Sequence, residues 1–164
     1  MNTEFEQAIA AVSELLTRLR LDFMFVGSVA RAAWLGGIVD SGSVDVVAVM
    51  QPQQKNQIAM MASNRGFTVD RDEVEQAEEL DLIPLKFGDV RVHVLVATNA
   101  LYATMVAAAP RVSDIKVASR EDLALLFALN DDFDAVGRLA ASPAFDRKGY
   151  NAKLTSIGLS EYVL

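Results

Sequence analysis

Hydrophobic residues recur at two kinds of interval along the chain, and each kind predicts a different element of structure. From residue 3 to residue 21, steps of three and four place apolar side chains on one helical face and predict an amphipathic helix. Thr3 and Glu6 have the spacing of a capping box at its start. Short apolar runs bounded by polar or glycine residues predict β-strands. The predicted strands are residues 23–26, 44–50, 67–69, 83–87, 90–96 and 115–118.

Capping and helix-breaking residues predict where the remaining helices begin and end. Gly36 and Gly37 end a short helix, because glycine readily adopts the left-handed conformation found after a helix C-terminus. Pro52 suits the first position of another helix, where its missing N–H group would have no partner anyway. Ser119 and Asp122 start an apolar helix late in the chain. The helices predicted after the first are residues 29–35, 52–64, a segment from 98 or 99 to before 110, a segment from 119, residues 131–141 and a last segment after 143.

The strand predicted over residues 90–96 alternates between two kinds of residue. Its four valines point to one face of the sheet, whereas Arg91, His93 and Leu95 point to the other. Gly88-Asp89 separates this strand from the one before it and predicts a tight hairpin. We therefore expect His93 to lie on a sheet face opposite the valines.

The order of these elements predicts one α/β (α+β) domain over residues 1–164, in which helices flank a small mixed β-sheet. The part from about residue 119 onwards is predicted to be helical. Of the 164 residues, 52% are hydrophobic and 23% are charged, a balance that allows one sizeable core.

Composition excludes several classes of function. The formal net charge of -7 argues against a general nucleic-acid binder, which needs a basic surface. The chain has no cysteine, so disulfides and thiolate metal sites are excluded. No apolar run approaches the roughly 20 residues that cross a bilayer, and the N-terminus lacks the pattern of a secretion signal. We therefore expect a soluble cytoplasmic protein without a membrane partner.

Seven acidic residues fall within the twelve positions from Asp70 to Asp81. A run of this kind is typical of a solvated loop or helix face. It is also a candidate surface for a basic protein partner.

Asp45 is the one acid within the predicted strand 44–50. Burying an unpaired carboxylate is costly, so Asp45 needs a partner. One interpretation is an ion pair or hydrogen bond to Arg91, His93 or the serines Ser41 and Ser43. The other is a contact with a metal ion or ligand. His93, the only histidine, is either a hydrogen-bonded packing residue or a base.

Gly27, Ser28 and Arg31 form the best candidate anion site in the sequence. Ser28 is predicted to cap the helix that follows the glycine turn, and Arg31 lies one turn further on. A helix N-terminus attracts phosphate through its free N–H groups and dipole. The alternative is a plain strand-to-helix turn with a surface arginine.

Gly27-Ser28, the short helix after it and the strand with Asp45 resemble the nucleotidyltransferase fold of the polymerase-β type. The similarity is closest to small bacterial proteins, some of which are components of toxin–antitoxin pairs. It covers roughly residues 16–140 and implies the same fold. The later segments that resemble the family are Gly66-Phe67, residues 90–96, residues 117–123 and residues 131–139.

In that family, two acids at alternate positions of one strand hold a pair of metal ions, and a third acid activates the acceptor hydroxyl. Here Asp45 matches the first acid, but Val47 and His93 stand at the second and third positions. Phe127 stands where the family usually has a lysine. The resemblance makes Asp45 and His93 the candidate catalytic residues and Asp45 the candidate metal ligand. The candidate nucleotide-binding residues are Gly27, Ser28, Arg31, Ser41 and Ser43.

Three functions follow from this comparison. The first is a protein that keeps the fold, has lost metal-dependent nucleotidyl transfer, and binds a ligand such as a nucleotide, or a protein partner. The second is an active transferase that uses Mg²⁺ and a nucleoside triphosphate, with Asp45 assisted by Asp40, Asp81 or Asp89. The third is an interaction module of the toxin–antitoxin type, whose segment from Asp70 to Asp81 meets a basic partner. For the first function, binding without nucleotidyl transfer, we expect no cofactor.

Overall fold

A mixed β-sheet of five strands, in the order β1-β2-β5-β4-β3, forms the centre of the protein. The computed structural model describes residues 3–37 and 42–164. A separate two-stranded ladder pairs β6 with β7. In chain order the strands are β1 (Asp22–Val26), β2 (Ser43–Val49), β3 (Phe67–Thr68), β4 (Leu82–Phe87), β5 (Val90–Val96), β6 (Arg111–Val112) and β7 (Ile115–Lys116).

Helices connect the strands and form the C-terminal part of the chain. A short 3₁₀ helix, Glu78–Leu80, precedes β4, and another, Ser160–Tyr162, lies near the C-terminus. The α-helices are α1 (Glu4–Arg18), α2 (Gly27–Leu35), α3 (Gln54–Ser63), α4 (Arg71–Ala77), α5 (Ala100–Ala108), α6 (Arg120–Leu129), α7 (Phe133–Ala140) and α8 (Arg147–Ser156). Together with the sheet they confirm the predicted fold class.

The caps predicted from sequence are present at three helices. Thr3 and Glu6 make both hydrogen bonds of the capping box at α1. Asn99 accepts a hydrogen bond from the Tyr102 N–H group at α5, and Ser119 accepts one from the Asp122 N–H group at α6. These bonds satisfy N–H groups that a helix N-terminus leaves without partners, which explains why the helices begin there.

The register of the central strands places one residue from each of three strands side by side. β1 runs antiparallel to β2, and Val26 is paired with Asp45. β2 runs parallel to β5, and Asp45 is paired with His93. Paired residues on neighbouring strands point to the same face of a sheet. The register therefore brings Asp45 and His93 together although 48 positions separate them in the chain.

The predicted alternation of β5 is confirmed. Val92 and Val94 are fully buried on the face against which α1 packs, whereas Arg91 is exposed and His93 is half-buried on the other. The second face of the sheet is thus the one with polar residues, and it carries the candidate site.

Several elements differ from the sequence prediction in their boundaries or their type. α3 begins at Gln54 rather than at residue 52. α2 begins at Gly27, two residues before the predicted start at residue 29. The acidic segment forms α4 and a 3₁₀ turn. Five of its acids are exposed, as predicted for a helix face (Asp70, Asp72, Glu73, Glu75 and Glu79), whereas Asp81 is half-buried. Residues 115–118 are divided between β7 and a single bridge from Val117 to Phe25. α7 begins at Phe133 rather than at residue 131. The predicted loop over residues 39–43 falls largely outside the described residues.

In the two described ranges, no helix combines the length and the apolar character that crossing a membrane requires.

Candidate functional site

Asp45 lies in the middle of β2, and its carboxylate is held by two side chains. Asp45 Oδ1 accepts a hydrogen bond of 2.8 Å from Ser43 Oγ. His93 Nδ1 lies 2.9 Å from the same oxygen. Because an ionised carboxylate only accepts hydrogen bonds, we assign the proton of this contact to Nδ1. His93 and Ser43 are therefore the partners that a carboxylate in this strand was predicted to need.

Gly27 brings the N-terminus of α2 directly against Asp45. Its backbone has φ +59°, and a Cβ atom at this position would lie 2.8 Å from Asp45 Oδ2. A side chain at residue 27 would therefore be strained by its backbone and would collide with the carboxylate. The glycine turn is needed for the close approach of α2 to β2.

Ser28 does not cap α2, contrary to the prediction. The N-cap residue is Val26, and α2 has no side-chain cap hydrogen bond. Since α2 begins at Gly27, Ser28 lies within the first turn, and its hydroxyl donates a hydrogen bond of 3.0 Å to the Ser43 carbonyl oxygen. Ser28 thus fixes α2 to the strand that carries Asp45.

A cavity of about 450 Å³ lies beside Asp45 on this face of the sheet. Its floor includes Val47 and Leu95, which are paired on β2 and β5. Leu123, Leu126 and Phe127 of α6 form a wall. The side chains that surround Asp45 in this cavity are therefore mostly apolar.

Several polar groups also line the cavity. Asp81 lies at its edge and forms an ion pair of 3.3 Å with Lys55. Thr98, Tyr102 and Asn130 supply neutral groups that donate or accept hydrogen bonds. Sequence reasoning missed Tyr102 and Asn130, because their position depends on how α5 and α6 pack against the sheet.

The residues at this site do not fit a pair of Mg²⁺ ions. Mg²⁺ takes oxygen ligands, and a metal pair needs several carboxylates. Val47 stands two residues after Asp45, where a second acid would share its face, and His93 stands on the neighbouring strand. Within residues 3–37 and 42–164, no group of three or more His, Cys, Asp or Glu side chains is arranged to hold a metal ion.

Comparison with solved structures identifies the fold. The crystal structure of ANT(2'')-Ia, an aminoglycoside nucleotidyltransferase, in complex with adenylyl-2''-tobramycin matches with a TM-score of 0.61 at 15% sequence identity, over 94% of this chain and 99% of that chain. The solution structure of the same antibiotic-resistance factor matches with a TM-score of 0.61 at 15% identity, over 99% of this chain and 95% of that chain. This protein has the nucleotidyltransferase fold. At this identity the likeness shows the nucleotidyltransferase fold alone. No protein-family profile and no curated protein matches the sequence.

Within the nucleotidyltransferase fold, the other residues predicted for a site lie in different places. Arg31 is exposed on α2. Arg91 is exposed and is paired with Ser43, one alternate position before His93 on β5. Asp89 lies in the hairpin turn four residues before His93, outside the residues that line the cavity. Ser41 and Asp40 lie outside the described residues.

Proposed function

We propose that this protein binds a small molecule in the cavity beside Asp45 and does not carry out metal-dependent nucleotidyl transfer. One observation carries the proposal: Asp45 is held by His93 and Ser43, and the alternate position on its strand is a valine that lines an apolar cavity. Metal-dependent transfer by this fold relies on carboxylates at such positions. Here His93, which is neutral or positively charged, and the apolar Val47 take the place of two of those carboxylates.

Binding is supported by the shape of the site. A cavity of about 450 Å³ lies within the range of pockets that hold small ligands, and such pockets are mostly apolar with a few placed polar groups. Asp45, Thr98 and Asn130 supply those groups here. Catalytic roles for Asp45 and His93, and phosphate binding by Gly27, Ser28 and Arg31, stay predictions.

An active transferase is the second candidate, and one observation favours it. Asp81 lines the same cavity as Asp45, so a second carboxylate is present at its edge. Its ion pair with Lys55 competes with a metal ion for that carboxylate. In this proposal the transferase would use Mg²⁺ and a nucleoside triphosphate, with Asp45 and Asp81 as metal ligands.

Thermal melting separates the two candidates. The wild type and Asp45→Ala are melted with ATP, GTP, CTP and UTP, each with and without Mg²⁺ or Mn²⁺. A ligand at a hundred times its dissociation constant raises the free energy of unfolding by about 2.7 kcal/mol, so weak sites are detected. We expect no increase in melting temperature that requires the metal. A metal-dependent increase that disappears in Asp45→Ala would overturn the proposal and support the transferase.

A further inference from the structure

We infer that the cavity beside Asp45 takes an organic cation, a molecule with an apolar body and one ammonium or amidinium group that binds Asp45. The inference rests on the proposed function and adds the chemical class of the ligand. It follows from the lining of the cavity, the charges around it and the geometry of one carboxylate.

The lining favours an apolar body. Val47 and Leu95 lie beneath the cavity, and Leu123, Leu126 and Phe127 flank it. Removing a hydrocarbon surface from water against such residues stabilises a complex. A sugar or a triphosphate would lose its hydration there without gaining enough polar partners.

The charges favour a cation. Among the described residues that line the cavity, the charged ones are Asp45 and Asp81, and both are acids. Asp81 is paired with Lys55, whereas Asp45 is paired with a histidine. An anionic ligand would thus meet like charge, whereas a cationic ligand would meet opposite charge in a partly dry environment. Tyr102 and Phe127 add aromatic rings, whose faces attract cations.

One oxygen of Asp45, a residue that lines the cavity, has no hydrogen-bond partner among the described residues. Within the described part of the chain, both hydrogen bonds to this carboxylate end on Oδ1. Oδ2 lies against the bare Cα of Gly27, and the side chain is 25% exposed. Ser43 and His93 therefore orient the carboxylate without using its second oxygen. A hydrogen bond from an ammonium group to that oxygen would be charge-assisted and stronger than a neutral one.

The test uses three molecules that share a phenyl ring and differ in the charged group. Phenethylammonium, 2-phenylethanol and phenylacetate are each titrated, up to about 10 mM, into ¹⁵N-labelled protein followed by amide NMR shifts. We expect phenethylammonium to shift the amides of Val47, Leu95 and Asn130. We expect it to bind at least about tenfold more tightly than the alcohol, and phenylacetate to bind most weakly.

Three variants locate the effect. Asp45→Asn keeps the shape of the side chain and should weaken phenethylammonium binding about tenfold, while its effect on the alcohol is small. Leu126→Lys places a cation at the half-buried wall. It should weaken the binding of phenethylammonium more than that of 2-phenylethanol. The control, Asp22→Asn, removes the same charge from an ion pair with Lys116 outside the cavity and should leave binding unchanged.

Each other outcome overturns a different statement. Equal binding of the ammonium and the alcohol overturns the cationic class but leaves small-molecule binding in place. Absence of shifts at the cavity amides with all three probes overturns the inference that the cavity takes an organic cation with an apolar body. Metal-dependent nucleotide binding in the melting experiment overturns the proposed function itself.

Discussion

Gly27 shows how one residue without a side chain determines the position of a carboxylate. Its φ of +59° lies in the left-handed region, and the missing Cβ leaves room for Asp45 Oδ2. Asp45 is then held from the other side by Ser43 and His93. The carboxylate is therefore confined between α2 and β5, in an orientation that does not depend on a ligand.

Gly27→Ala should lower stability and displace Asp45. A left-handed alanine and a Cβ contact of 2.8 Å both oppose the native arrangement, so we expect the free energy of unfolding to fall by about 1–3 kcal/mol. Urea unfolding measures the change. Gly137→Ala is the matched control, because a Cβ at that site in α7 meets nothing within 4 Å. It should stabilise the protein by about 0.5–1 kcal/mol. Equal effects of the two substitutions would contradict the argument.

Tyr150 predicts a dependence of stability on alkaline pH. It is fully buried, its hydroxyl has no hydrogen-bond partner within the described residues, and burial raises the pKa of the phenol above its ordinary value of 10.0. The folded state therefore keeps a proton that the unfolded state releases. The stabilisation from this group is complete below pH 10 and decreases as the pH rises through the raised pKa.

The substitution Tyr150→Phe tests this dependence. Unfolding free energies of the wild type and the variant are compared between about pH 8 and pH 11. The wild type should lose more stability over this range, because the phenylalanine cannot ionise. Near neutral pH, the free energy of unfolding of the variant should equal that of the wild type or exceed it by up to about 1 kcal/mol, since the variant buries no unpaired hydroxyl. Parallel pH profiles would show that Tyr150 ionises equally in both states.

Helix α6 connects the candidate site to the C-terminal helices. Leu123, Leu126 and Phe127 line the cavity, whereas Asp122, in the first turn of α6, is buried outside it and forms an ion pair with Lys153 of α8. Because the Asp122 side chain is only 3% exposed, water cannot take the place of Lys153 as its partner. The ion pair thus holds the cavity wall against the last long helix.

Lys153→Met should therefore destabilise the protein through α6. It leaves Asp122 buried without its cation, and we expect a loss of about 1–3 kcal/mol, less than for a fully enclosed pair because the Lys153 side chain is 43% exposed. Thermal or urea unfolding measures it. Lys148→Met, at an exposed position of the same helix, should change stability by less than about 0.5 kcal/mol. If Lys148→Met lowered the free energy of unfolding by as much, the effect would come from methionine in α8 rather than from loss of the ion pair.

Helices, strands and turns that depend on local sequence could be predicted, whereas contacts that depend on tertiary packing could not. Local signals predicted the capped helices, the β4–β5 hairpin and the two faces of β5, because each depends on neighbours in the chain. The cap role of Ser28 was wrong, because sequence placed the start of α2 two residues too late. The wall from α6 and the groups from Tyr102 and Asn130 depend on tertiary packing, and no periodicity contains that information. His93 was one of several partners predicted for Asp45, and only the pairing of β2 with β5 in the folded sheet selects it.

For the whole molecule, fold and local chemistry lead to separate conclusions. The structure superposes on that of an aminoglycoside nucleotidyltransferase over 94% of this chain and 99% of that chain, although the sequence identity is 15%. The positions expected to hold a metal pair carry a valine and a histidine. A fold supports many chemistries, so function must be argued from the site. A protein partner at the acidic segment from Asp70 to Asp81, and a toxin–antitoxin role, stay predictions.

The parallel pairing of β2 with β5 has a consequence for the order of folding. Asp45 and His93 are 48 positions apart, whereas β4 and β5 are joined by a two-residue turn. Closing a long loop costs more entropy and slows the contacts that depend on it. We therefore expect the β4–β5 hairpin to form early. The pairing of β2 with β5, and with it the contact between Asp45 and His93, should form late. Pulse-labelled hydrogen exchange during refolding should protect the hairpin amides before those of β2. Simultaneous protection would mean that the strand pair and its hairpin assemble in one cooperative event.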